Sequence, residues 1–206
     1  LEDWNNFVHS LEKASNRVKI GILGKYFASG SFSLNDAYLC VIEALKHASA
    51  KTGVKTEIVP IDVEKLETNS LDELDGVIVP QGWGKRGVEE KIRAIKYVRE
   101  HKIPFLGLCF GMQMATIEYA RNVLGLENAN STEADPETKY PIIHIIPDQV
   151  EYLKSKNYGG TIRLGSWPCK VAHGSLVEQA YAKYSPSEIS SGLINERHRH
   201  RYELNT

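Results

Sequence analysis

The amino-acid sequence predicts an α/β fold in three layers, a mostly parallel central sheet with helices on both faces. Short apolar runs rich in β-branched residues recur along the first 128 residues. Stretches with apolar residues at helical spacing separate them. Glycine-containing turns follow several of the runs. Strands that alternate with helices build a parallel sheet covered on both sides. Active sites of such sheets lie at the carboxyl ends of the strands.

Residues 1–17 read as a helical lead-in, with Trp4, Phe7, Val8 and Leu11 at helical spacing. Residues 18–23 (VKIGIL), followed by Gly24, read as a buried parallel strand. Residues 27–35, rich in Gly and Ser, are a loop. Asp36 is placed to cap the next helix, on which Val41, Leu45 and Ala48 form an apolar stripe and Gly53 marks the end. Residues 56–61 and 76–80 (GVIVP) are further strands, and residues 81–87 the loop after the latter. Residues 88–101 form a helix with Val88, Ile92, Ile95 and Val98 inward. Residues 104–108 (PFLGL) are a strand and 111–124 a helix. Beyond Asn128 there are turn signals at Pro141, Pro147, Gly159-Gly160 and Pro168, and short extended runs without a clean period.

A length of 206 residues suits one such domain. Hydrophobic residues make up 42% and charged residues 25%, the balance of an ordinary globular chain. A net charge of −1 offers no broad basic field for nucleic acid or anionic membrane, so neither is expected as a partner. The apolar runs are far too short to span a bilayer, and residues 1–19 contain no apolar signal core. Cys40, Cys109 and Cys169 are odd in number and widely spaced, which argues against a disulfide framework or a zinc site. A reducing, cytoplasmic setting fits them. The first residue, Leu1, is not Met, so the expectation is a piece of something longer.

The sharpest local signal is Gly107-Leu108-Cys109-Phe110-Gly111, between a buried strand and a helix. This is the strand–turn–helix setting of the Gly-x-Ser-x-Gly nucleophile elbow, with sulfur in place of oxygen. The glycines permit the tight turn, and the helix N-terminus is expected to favour the thiolate. The Phe110 N–H is placed to meet the oxygen of a carbonyl under attack. A buried structural cysteine between packing glycines is the competing reading. The loop Gln81-Gly82-Trp83-Gly84-Lys85-Arg86-Gly87 has three glycines in seven residues and can bring a second N–H close to substrate. Residues 196–203 (ERHRHRYE) alternate as a two-faced strand would. An arginine there suits a substrate carboxylate, whereas the arginines around His198 and His200 disfavour a metal. Gly24-Lys25 lacks the remainder of a phosphate-binding loop.

Beyond these local features, residues 18–205 resemble the glutaminase domain of CTP synthases, a class I glutamine amidotransferase with a flavodoxin-like sheet. The matching segments are Gly24-Lys25-Tyr26, Asp36-Ala37-Tyr38, residues 107–113 (GLCFGMQ), 128–133 (NANSTE), 159–165 (GGTIRLG) and 196–205. The resemblance implies that Cys109 attacks the glutamine side-chain amide to form a thioester, with Gly82 and Phe110 as oxyanion donors. It places Gly82, Phe110, Gly111, Met112, Gln113 and Glu133 around L-glutamine, with Glu133 for the ammonium and Arg201 and Tyr202 for the carboxylate. It implies no cofactor in this domain. ATP, Mg2+ and UTP belong to a preceding N-terminal amidoligase (synthase) domain that takes the ammonia, GTP acts as allosteric activator, and the full protein is a homo-oligomer, a tetramer. Residues 1–17 are then a linker from the synthase domain, and 18–206 the amidotransferase domain, cut short at its C-terminus. Two positions depart from the family pattern. Gln81 and Trp83 stand in a segment that is usually Gly-Gly-Phe-Gly, a change that bears on hydrolysis or its regulation. The family's base and orienting acid sit in a His-Pro-Glu motif, and none of the seven histidines here has Glu two residues later. Two further functions stay open: a cysteine hydrolase of related fold acting on another amide, and a glutaminase-like module kept for binding or assembly.

Overall fold

The computed structural model describes residues 1–29, 32, 33, 35–156, 160–189 and 192–205. The turn expected at Gly159-Gly160 and the loop 27–35 each include residues outside this set. The chain divides into two compact units, Leu1–His144 with Leu204–Thr206, and Ile145–Glu203.

The first unit opens with α1 (Glu2–Lys13), which has no buried residue and meets its neighbour through an edge-on contact of Phe7 with His47, ring centroids 5.8 Å apart. Then come β1 (Asn16–Gly24), α2 (Leu39–Thr52) and β2 (Val54–Asp62). They are followed by β3 (Gly76–Val79), α3 (Val88–Glu100), β4 (Phe105–Gly107) and α4 (Phe110–Asn122). The sheet runs β2-β1-β3-β4, every pair parallel. All four strands expected from the sequence are therefore present: β3 is buried along its whole length and the second half of β1 is buried, whereas β2 is only partly covered and β4 is largely exposed. The step from β1 to β2 runs one way across the sheet and the step from β3 to β4 the other. Right-handed crossovers then put α2 and α3 on opposite faces, which makes the three layers. The connections of adjacent β1 and β3 diverge, and a crevice opens at the carboxyl ends of such a pair.

The core follows the apolar pattern. Ile22, Leu23, Val77, Ile78 and Val79 of the sheet are buried. Ile22 and Ile78 pack with Phe27, Tyr38 and Val41. On α3 the expected Val88, Ile92, Ile95 and Val98 are all buried, together with Lys91 and Ala94. On α2 Val41 is buried and Leu45 partly so, but Ala48 is exposed and Ser49 takes the inner position, its hydroxyl bonded to Thr56 at 2.7 Å. Gly53 ends α2 in the left-handed conformation at φ 67°. Asp36 is not the cap of α2: it lies in a 3-10 turn, Asn35–Tyr38, and α2 begins after Tyr38 without a side-chain cap. The buried Tyr38 ring, 4.9 Å from that of Phe27, holds this corner instead. Farther on, β5 (Ala129–Ser131) pairs in parallel with β6 (Tyr140–Ile145).

In the second unit a 3-10 turn (Pro147–Gln149) leads into α5 (Val150–Lys154). A hairpin follows, β7 (Arg163–Lys170) paired antiparallel with β8 (Leu193–His200), with α6 (Leu176–Tyr184) between the two strands. Ser175 caps α6, its hydroxyl accepting the Glu178 N–H, while the Glu178 carboxylate accepts the N–H of Gly174, one residue before the cap. β8 alternates as its sequence suggests, with Ile194, Glu196, His198 and His200 on the more covered face and Arg197 and Arg199 exposed. β9 (Tyr202–Leu204) closes the chain.

Candidate active site

The site is assembled from three consecutive constraints. First, β3 ends at Val79, whose carbonyl accepts the Leu108 N–H at 2.9 Å. This brings the end of β4 level with the end of β3. Second, the chain turns into α4 with almost no room. A Cβ on Gly111 would sit 1.8 Å from the Val79 carbonyl oxygen, and one on Gly107 2.7 Å from the Met112 nitrogen. Only glycine satisfies that approach. Third, Cys109 at the apex adopts φ 53°, ψ −107°, a left-handed backbone that non-glycine residues rarely take. Held strain of this kind collects at functional positions.

The turn is the elbow expected from the sequence. The backbone N–H groups of Phe110 and Gly82 both act on the Cys109 thiol in the direction that favours its ionised form. Phe110 opens α4 and Gly82 lies in the loop after β3, so two separate segments meet at this thiol. Glu133 lies near enough to repel the thiolate, and its Oε1 accepts the Gly84 N–H at 2.7 Å. Burial pushes the Glu133 carboxyl up, opposed by the Gly84 bond and by Lys25. Gln113 is buried on the first turn of α4, its N–H on the Cys109 carbonyl at 3.1 Å. Gly111 serves by its size. The Met112 side chain is exposed and lines a shallow groove with Phe105, Thr116 and Tyr119. Arg201 and Tyr202 belong to the second unit, where the buried Arg201 donates to Gln149 at 3.1 Å and to Thr161 at 3.4 Å. Its carbonyl accepts the Ile146 N–H.

The thiol differs from expectation. Burial, first of all, raises the Cys109 pKa above its ordinary value, and Glu133 adds to this. The Phe110 and Gly82 N–H groups and Lys91 pull the other way without winning. The helix terminus alone therefore does not produce a thiolate.

Two lysines at this site were not legible as site residues. Lys25 and Lys91 are 1% and 0% exposed. Their ammonium groups lie 4.7 and 5.2 Å from the centroid of the Phe110 ring. Burial lowers the Lys25 pKa to about 8 and that of Lys91 to about 7. The Lys91 signal was present in the pattern: position 91 falls on the same helical face as Val88, Ile92, Ile95 and Val98. Among the described residues no cluster of metal-ligating side chains is found, and no helix is long and apolar enough to cross a membrane.

Residues 33–206 match the family model for glutamine amidotransferase class-I. The chain belongs to this family. CTP synthases of Synechococcus and of Methanocaldococcus jannaschii are 46% and 49% identical over the whole chain, which covers 35% and 37% of their lengths. The chain thus spans about a third of the curated relatives it matches. The solved glutaminase domain of Trypanosoma brucei CTP synthase, with bound acivicin, superposes with a TM-score of 0.74. It is 33% identical, over 91% of this chain and 68% of that one. Within the class-I amidotransferases the chain groups with the glutaminase domains of CTP synthases.

Proposed function

We propose that this chain hydrolyses the side-chain amide of glutamine through a thioester on Cys109 and supplies the ammonia to a synthase domain that makes CTP from UTP with ATP and Mg2+. The observation that carries the reading is the tight strand–turn–helix elbow that holds Cys109 at φ 53° between Gly107 and Gly111, with the Gly82 and Phe110 N–H groups favouring its ionised form. The sulfur attacks the amide carbon and the carbonyl π pair moves onto oxygen. That oxygen takes the place beside the two N–H donors. Collapse of the tetrahedral species expels ammonia, whose nitrogen takes up a proton, and leaves the thioester. Water then adds to the same carbon, and release of glutamate returns the thiol. A base must accept the Cys109 proton and deliver one to nitrogen. The family resemblance gives that work to the histidine of a His-Pro-Glu motif, which residues 1–206 do not contain.

The raised thiol pKa suits a substrate-gated nucleophile. A glutamine α-ammonium against Glu133 cancels the charge that opposes the thiolate, so sulfur is activated when substrate is present. Arg201 and Tyr202 are assigned the substrate carboxylate, and GTP, the synthase domain and a tetrameric assembly are further proposals from the resemblance.

The test is CTP formation by the full-length protein with each nitrogen source. Cys109→Ala is expected to abolish glutamine-dependent synthesis and leave ammonia-dependent synthesis intact. Arg201→Ala is expected to lower glutamine efficiency about ten- to a hundredfold, from loss of a charge-assisted pair of about 1.5–3 kcal/mol. Glutamine-dependent synthesis that survives Cys109→Ala would overturn the reading. Equal losses with both nitrogen sources would take Arg201 out of substrate binding.

A further inference from the structure

We infer that Lys25 is a positioning residue for the oxyanion hole, tying down the loop that carries the Gly82 donor. This rests on the thioester reading above. Lys25 is the first residue after β1, and Gly82 follows β3 by three residues. The two strands are neighbours with diverging connections, so their carboxyl ends face one crevice. The Lys25 backbone is anchored there by its own N–H on the Tyr38 hydroxyl at 3.0 Å.

From that anchor the side chain runs under the loop. Its Nζ donates to the carbonyls of Trp83, of Gly84 at 3.2 Å and of Arg86 at 3.0 Å. An ammonium has three N–H donors, and three carbonyls of one loop take them. The stem is equally committed: a Cβ on Gly82 would lie 3.1 Å from the Lys25 Cε. The ammonium also lies over the ring of Phe110, the residue whose N–H is the other oxyanion donor. The loop's outward groups are held separately. The Trp83 N–H donates to the Tyr26 hydroxyl at 3.1 Å, the Gly84 N–H to Glu133, and Arg86 Nη2 returns a bond to the Lys25 carbonyl. The Trp83–Gly84 peptide is therefore gripped on both edges, its oxygen by Lys25 and its N–H by Glu133. A flip of that peptide would swing the segment that presents the Gly82 N–H, and the two grips oppose it.

A buried ammonium is an expensive brace, and its surroundings show the cost. Glu133 and Glu64 favour its charge, whereas Arg86 and burial oppose it. Lys91 on α3 adds a second positive neighbour, and the rings of Tyr26 and Phe110 complete the lining. With the Lys25 pKa near 8, loss of its proton above that pH leaves two donors for three carbonyls. Glutamine turnover should then decline as the pH rises through about 8, while glutamine binding persists.

The experiment uses the full-length protein. Lys25→Met keeps the stem and removes all three donors. It is expected to lower kcat with glutamine about 10- to 100-fold, since loss of a whole oxyanion donor costs about 100- to 1,000-fold. KM should move less than about threefold, and ammonia-dependent CTP formation should be unchanged. Wild-type kcat and KM with glutamine in a folded Lys25→Met protein would overturn the inference. If that variant does not fold, Lys25→Arg decides: its guanidinium does not titrate in this range. The decline in kcat near pH 8 should move to higher pH, and a decline at the same pH in both proteins would overturn the inference. Cys109→Ala run alongside keeps the two ideas apart. Glutamine use that survives it removes the thioester reading itself, whereas its loss with an unaffected Lys25→Met removes only the role of Lys25.

Discussion

A thiol that two N–H groups approach and yet stays protonated at neutral pH should react differently with different electrophiles. Cys40 and Cys169 are exposed, whereas Cys109 is partly covered and carries a raised pKa. With iodoacetamide near pH 7, Cys40 and Cys169 are expected to be alkylated ahead of Cys109. A glutamine-like electrophile should invert the order, because its ammonium offsets Glu133. Peptide mass mapping of both reactions checks this. Labelling of Cys109 first by both reagents would show that Glu133 does not restrain the thiol; a glutamine analogue found mainly on Cys40 or Cys169 would refute Cys109 as nucleophile. At this scale the sequence was readable where chemistry needs a particular residue at a particular step of the chain. The strand–turn–helix setting of Cys109 between two glycines is such a case. The thiol's ionisation was not readable, since it depends on Glu133 and Lys91, 24 residues after and 18 before it. Lys25 was visible only as a lysine after a glycine, because the carbonyls that use it lie 58 to 61 residues on.

At the level of elements, α3 and α4 are joined by an ion pair as well as by apolar contact. Arg99 donates to both oxygens of Glu118, at 2.9 to 3.2 Å. Glu118 is 1% exposed and Arg99 36%. Arg99→Ala leaves that carboxylate covered without its cation. It is expected to destabilise the protein by about 1–2 kcal/mol in urea unfolding, the lower part of the range for charged hydrogen bonds because Arg99 is partly in solvent. No change in the urea midpoint would mean that water replaces the arginine freely. Gly111→Ala tests the tightest approach between elements. Its methyl has nowhere to go against the Val79 carbonyl, so β3 and α4 must separate, at a cost of about 3 kcal/mol or more. Wild-type stability in that variant would show that the two elements yield. β3 was legible because a strand buried along its whole length is apolar throughout. The start of α2 was not, because the Tyr38 ring overrides the capping preference of Asp36. Beyond Asn128 the weak pattern has a physical cause: β7 is exposed along seven of its eight residues and so carries little apolar signal.

For the whole molecule, the buried titratable groups set how stability follows pH. An unfolded lysine titrates near 10.5, while folded Lys25 and Lys91 release their protons near 8 and 7. Between about pH 7 and 10.5 the unfolded chain therefore binds more protons, and stability rises with pH, by up to about 1.4 kcal/mol per pH unit for each lysine in its window. Cys109 acts oppositely, because its raised pKa keeps a proton that the unfolded thiol loses above about 9. The rise should therefore be clearest between pH 7 and 9. Urea midpoints across that range check it, and in Lys91→Met much of the slope should vanish; an equal slope in both proteins would refute the account. The sheet itself has a consequence for the order of events in folding. β1 and β2 pair through nine consecutive positions, Asn16 with Val54 through Gly24 with Asp62, whereas β3 pairs with each neighbour at three. Amide protons in this long ladder should be among the last to exchange. Its partners are only 38 residues apart, so it closes a modest loop. As the chain is synthesised, the N-terminal part is free to fold first. The strand that ends just before Lys25 can thus be in register while the residues around Cys109 are still being added.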